Sequence, residues 1–181
     1  MDERDFRKLK MTAAEAMFQV GVCYENGDGV EKDEAEAVRW YRRAAEEGLA
    51  NAQYELVKCY TFGIGVKKNN AMAFRWLRKA ADLDHPKSML ILGIRYLFGD
   101  GVEKNPAEAV RWFRRAADQG DPRAMFELGE CYEKGVGVKK DSDAAFLWFC
   151  RAALASPKDE HLYQSVQTRI LSSELKDVLE K

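Results

Sequence analysis

Tryptophan occurs four times, at Trp40, Trp76, Trp112 and Trp148, each 36 residues after the last. A fixed period of this size leaves few folds open, because so short a unit cannot enclose a core alone and must stack on its own copies. The clearest copies run from Gly27 to Gly48, GDGVEKDEAEAVRWYRRAAEEG, and from Gly99 to Gly120, GDGVEKNPAEAVRWFRRAADQG. Looser copies lie between and after them.

Each unit reads as two helices. In the first, Ala16, Val20 and Tyr24 recur at helical spacing, and Gly21 leaves room for a close neighbour. Gly27 and Gly29 then supply the positive φ angles of a tight loop, with Val30 expected to plug the gap between helices. Asp33 stands where an N-cap belongs, and the second helix puts Ala37, Trp40, Tyr41, Ala44 and Ala45 inward before Gly48 ends it. The cap column reads Asp33, Asn69, Asn105 and Asp141, while Pro86, Pro106 and Pro122 open helices at positions where a missing N–H costs nothing. Small Ala and Gly allow close helix packing, and Tyr and Trp are expected to fill the space between units with their polar ends near water.

The recurring pattern A-x3-L-G-x2-Y-x2-G-x-G-V-x2-[DN]-x3-A-x2-W-x3-A-A resembles the Sel-one-like repeat (SLR), a relative of the tetratricopeptide repeat. The resemblance covers Ala13 to about Pro157 and implies an all-α, right-handed α-α superhelix, or solenoid. The expected organisation is an N-terminal arm or helix start over 1–12, four 36-residue repeats over 13–158 (about 16–51, 52–87, 88–123 and 124–158) and a C-terminal capping helix over 159–181. Two departures stand out: Val57 replaces the small glycine of the first helix in repeat two, and Asp84 and Ser156 replace the closing Gly48 and Gly120. Repeats one and three share GDGVEK, whereas two and four share GVKK, the mark of either a duplicated pair or alternating packing needs.

Composition limits the chemistry. A net charge of −1 over 181 residues gives no global field for nucleic acid or anionic membrane, so none is expected as a partner. No apolar run reaches a membrane span, and the N-terminal MDERDFRKLK lacks a secretory signal's apolar stretch, so a cytoplasmic protein is expected. Cys23, Cys59 and Cys131 share one repeat position, too far apart on stacked helices to pair, and read as reduced, packed thiols. The paired loop glycines lack the flanking residues of a phosphate loop, and the two histidines, His85 and His161, form no metal cluster; neither cofactor nor metal is expected. Ser173 and Lys176 match S-x-x-K without its companion motifs. A β-lactam-related enzyme or small-molecule binder is therefore the alternative to a non-enzymatic reading, and no catalytic residue is assigned.

A basic ladder follows the second helices: Arg39, Arg42 and Arg43, then Arg75, Arg78 and Lys79, then Arg111, Arg114 and Arg115, and last Arg151. Its plain reading is a solvated convex face whose stems cover tryptophan; an anion-binding module is the sharper one. The first helices carry the positions that differ between copies. Tetratricopeptide-like stacks line their concave surface with these helices, and the resemblance implies the same groove here. It would be formed by Phe18, Val22, Tyr54, Lys58, Phe62, Leu90, Ile91, Ile94, Leu97, Phe98, Phe126, Glu130 and Glu133. An apolar centre in repeat three with an acidic rim has the form of a protein-binding hot spot. The expected function is an interaction scaffold or adaptor for a peptide or protein segment, with homo-oligomerisation through the apolar patch as a further use.

Overall fold

The computed structural model describes residues 3–156, 164 and 166–169, with side chains from residue 13 onward. Among these residues every regular element is a helix: α1 (Glu3–Asn26), α2 (Glu34–Glu46), α3 (Ala50–Phe62), α4 (Asn70–Asp82), α5 (Pro86–Phe98), α6 (Pro106–Asp118), α7 (Pro122–Lys134) and α8 (Ser142–Ala155). They belong to two compact units, Met1–Ser88 and Met89–Lys181. In the first, α1 packs on α2, α2 on α3 and α3 on α4; in the second, α6 packs on α7 and α7 on α8. The helix α1 begins at Glu3.

Helix starts follow from the cap column. Asp33 accepts the Glu36 N–H at 3.0 Å, Asn69 that of Met72 at 3.0 Å, Asn105 that of Glu108 at 3.0 Å and Asp141 that of Ala144 at 2.9 Å. Each such cap contributes about 1 kcal/mol by satisfying an amide the helix leaves open. The second loop glycines do more than turn the chain. At Gly65 (φ +62°) a Cβ would run into the Glu34 carbonyl at the start of α2, and at Gly137 (φ +72°) into that of Pro106 at the start of α6. In each unit the loop of the later repeat, the second or the fourth, thus rests directly on the backbone of the repeat before it.

Within a repeat the helices approach through a glycine under an aromatic ring. A Cβ on Gly21 would lie 2.6 Å from Tyr41, one on Gly93 2.5 Å from Phe113 and one on Gly129 2.5 Å from Phe149. Repeat two has Val57 and Leu77 at the equivalent positions, both buried. The departure is therefore a volume exchange, a larger residue on one helix matched by a smaller one on the other. The closing position is explained as well: Gly48 and Gly120 have φ +89° and +87°, and Asp84 adopts φ +58°, a left-handed conformation Asp tolerates better than most residues. Ser156, in contrast, has a negative φ of −138° where α8 ends.

Two sequence expectations are corrected. Val30 is 40% exposed, so it does not plug a gap, although Val66, Val102 and Val138 are half-buried. The Trp40 and Trp76 Nε1 atoms do not reach water: they are buried without a hydrogen-bond partner among the described residues. A cation also lies over each indole ring. Arg43 stands 4.8 Å from the Trp40 ring centre, Lys79 4.5 Å from Trp76, Arg115 4.6 Å from Trp112 and Arg151 4.7 Å from Trp148. Such contacts are worth about 0.5–1 kcal/mol at exposed sites.

Beyond α8, Val166 is fully buried against Ala145, Phe149 and Ala152. The remainder of the expected capping helix lies outside the described residues, as do Ser173 and Lys176.

Candidate interaction surface

In the first unit, α3 buries Ala52, Gln53, Leu56, Val57, Cys59 and Tyr60. What it leaves partly or fully open is Tyr54, Glu55, Lys58, Thr61 and Phe62, one continuous face. Phe62, the last residue of α3, is 71% exposed. Tyr54 is held on its other side by His85, with ring centres 4.8 Å apart, and Lys58 reaches over the same tyrosine while pairing with Glu55. Burial works against the Lys58 ammonium, but Glu55 outweighs it and holds the pKa above the usual lysine value. On α1, Phe18 lies 5.5 Å from the Tyr41 ring and Val22 is half-buried. Next to them Tyr41 donates its hydroxyl to Glu25 at 2.6 Å, and burial together with that bond raises the phenol pKa.

His85 is the cap of α5. Its Nδ1 accepts the Ser88 backbone N–H at 3.2 Å and lies 2.9 Å from Ser88 Oγ. An amide N–H can only donate, so this nitrogen carries no proton and the ring is neutral. Burial and the nearby Lys87 both hold the histidine pKa below its ordinary value.

In the second unit, α5 presents Ile91, Ile94 and Leu97 half-buried and Phe98 72% exposed at its last residue. Leu90, placed with them by the sequence, is 9% exposed and adds little surface. On α7 the expected groove positions are already engaged. Phe126 lies 5.4 Å from Phe149, Glu130 pairs with Lys134 and Arg169, and Glu133 accepts from Arg169 at 3.0 Å. Glu127 beside them is pushed above the usual carboxylate range by burial and by Glu130, with Lys134 opposing. The partnership of Arg169 with α7 had no signal in the sequence, because the period is lost before that residue.

The basic ladder is largely engaged within the fold. Besides the four cations on tryptophan, Arg39 pairs with Glu36 and Arg111 with Glu108. Arg42 donates to the Tyr60 hydroxyl at 2.8 Å and Arg114 to that of Tyr132. The cysteines are free, and burial pushes the Cys59 and Cys131 thiols up to about 11, out of the nucleophilic range. Among the described residues, no group of three His, Cys, Asp or Glu side chains is placed to hold a metal, and no helix is long and apolar enough to cross a membrane.

The Sel1 repeat model matches residues 14–49, 50–85, 86–121 and 122–157, two residues ahead of the phase read from the sequence. Among solved structures, a Sel1 repeat protein from Oxalobacter formigenes is 36% identical, with a TM-score of 0.74, over 82% of this chain and 60% of its own. The c5321 protein, a protective antigen of uropathogenic Escherichia coli strains displaying an SLR fold, is 30% identical with a TM-score of 0.73, over 88% and 38%. Cysteine rich protein B of Helicobacter pylori is 26% identical with a TM-score of 0.56, over 75% and 96%. The chain thus spans three-fifths of the first of these proteins and under two-fifths of the second. No curated protein matches it.

Proposed function

Because the chain belongs to the Sel1 repeat family, whose members are generally protein-interaction scaffolds, we propose that it is a non-enzymatic adaptor holding a peptide or protein segment on the open faces of its first helices. The observation that carries this reading is the pair Phe62 and Phe98. Each closes a first helix at the same repeat position, and each is more than two-thirds exposed. An aromatic side chain open to water gains about 25 cal/mol for each Å² that a partner covers, and rigid aromatics are the usual anchors of protein interfaces. Ile91, Ile94 and Leu97 on α5 extend one anchor into an apolar strip, while Glu55 and Lys58 on α3 give the other a polar edge. The engagement of Phe126, Glu130 and Glu133 by residues of the chain itself favours α3 and α5 over α7 for the proposed contacts.

The test is affinity capture with the native chain against Ile94→Glu plus Phe98→Ala, with circular dichroism as the check on folding. Loss of captured partners from a folded variant supports the reading. An unchanged set of partners refutes it.

A further inference from the structure

The outer face of α8 differs from that of every other second helix. Opposite the core, α2 carries Ala35, Arg39, Arg42 and Glu46; α4 carries Ala71, Arg75, Arg78 and Asp82; α6 carries Ala107, Arg111, Arg114 and Asp118. The same positions on α8 are Asp143, Leu147, Cys150 and Leu154. Their spacing of four, three and four residues forms one straight stripe along the helix. Leu147 is 50% exposed and Leu154 81% exposed, with Phe146 beside them at 40% and Cys150 half-buried. The core-facing side of α8 is occupied by Val166 and its neighbours, so this stripe is a second, separate face. Three copies of the repeat show that the fold accepts arginine and acid at these positions, and among the described residues nothing calls for leucine there.

We propose that this stripe is a self-association surface on which two copies of the chain pair α8 against α8, antiparallel about a twofold axis. The charges at its ends select both the occupant and the direction. Asp143 lies at the start of the stripe and Arg151, seated over the Trp148 ring, flanks its end; both are exposed. An antiparallel pair sets Asp143 of each copy within a helical turn of Arg151 of the other and stacks Leu147 on Cys150, while Leu154 covers the aliphatic part of Asp143. A parallel pair would set like charges together. A stripe that complements itself only when reversed is the requirement of an isologous contact. On α2, α4 and α6 the same contact would set arginine against arginine, so only the fourth repeat is able to make it. Four positions on one helix form a small interface, and association is therefore concentration-dependent rather than permanent.

The test uses the full chain and the variant Leu147→Arg, Cys150→Arg, Leu154→Asp, which gives α8 the outer face of α6. Sedimentation from about 10 μM to about 1 mM, the range where so small an interface is populated, should show the native chain moving from monomer to dimer and the variant remaining monomeric. The variant should keep the native circular dichroism. In a Cys23→Ser background a short bismaleimide should join two native chains through Cys150, and unlabelled chain in excess should compete with the product away. A native chain that is monomeric throughout overturns the proposal. So does a variant that dimerises equally, which would move the contact elsewhere, or a Cys150 shielded from maleimide in the monomer, which would mean that the chain covers this face itself.

Discussion

The exchange of Val57 and Leu77 for a glycine and an aromatic can be reproduced in another repeat. Gly93 and Phe113 are the cleanest site, since Phe113 is fully buried and both residues lie in one unit. Gly93→Val alone puts a Cβ 2.5 and 2.6 Å from Phe113 ring carbons, which the core relieves only by moving the ring, at about 1–3 kcal/mol. The better helix propensity of Val returns about 0.4 kcal/mol. A loss near 2 kcal/mol lowers the melting temperature by about 4–8 °C in a chain of this size. Phe113→Leu alone leaves space over Gly93 and costs about 1–2 kcal/mol. The double variant recreates the arrangement of repeat two. The Ala109 carbonyl, 3.2 Å from the new Cβ, is the remaining close contact. The expected result is a double variant within about 1 kcal/mol of the native chain, with a favourable coupling near 2 kcal/mol. Urea unfolding followed by far-ultraviolet ellipticity measures it, provided the slope is unchanged. If the two losses add to within about 0.5 kcal/mol, the residues are not exchanging volume and the account of the repeat core is wrong.

Two further outcomes follow from the loops and the α5 cap. Gly65→Ala and Gly137→Ala add a Cβ against the backbone of the preceding repeat as well as a strained positive φ, whereas Gly48→Ala meets no atom within 4 Å. Thermal melts should therefore show Gly48→Ala losing only the conformational cost of about 1–2 kcal/mol and the other two losing clearly more. At α5 the folded state favours neutral His85, so its contribution is complete above the ordinary histidine pKa of about 6.5. It declines as pH falls below that value toward the lower folded-state pKa, because the unfolded chain takes up the proton first. Melting temperature against pH should fall less steeply between about 7.5 and 5 in His85→Asn, which keeps a capping acceptor without the titration. Parallel curves for the two proteins would remove His85 from the pH dependence.

The period made the scaffold legible. The caps, the positive-φ loop glycines and the inward Ala37, Ala73, Ala109 and Ala145 keep one physical role in every repeat and could be assigned from the sequence alone, whereas the loop valines do not share one. Three things were less accessible. The seating of a cation over the Trp40 and Trp76 rings uses residues three positions on, a spacing visible in the ladder but without a stated direction. The partner of Val57 needed the two helices side by side, although Tyr41, Leu77, Phe113 and Phe149 form an aligned column that would have pointed to it. The apolar face of α8 was also in the sequence, since aligning Leu147, Cys150 and Leu154 with the arginines and acids above them is sufficient to expose it. The seat of Arg169 on Glu130 and Glu133 was not, because a contact across a broken period has no column to belong to.

Departures from a repeat are of two kinds, and packing separates them. Structural departures come compensated. Val57 is matched by Leu77, Tyr41 alone in its column has a hydroxyl and Glu25 accepts its proton, and Asp84 takes a backbone angle that elsewhere needs glycine. In each case a change at one position is answered within the fold. Phe62, Phe98, Leu147 and Leu154 have no such answer: they are large, apolar and half or more exposed. Leaving such groups in water gives up the free energy that drives folding and association, and the columns that hold them show arginine, lysine, asparagine and acid in other repeats. We therefore read compensation as a mark of stability and propose its absence at a large apolar residue as a mark of recognition. The same criterion argues against anion binding by the basic ladder. Its most regular column, Arg43, Lys79, Arg115 and Arg151, is answered four times by tryptophan, so neutralising it should reduce stability before it reduces affinity for any partner.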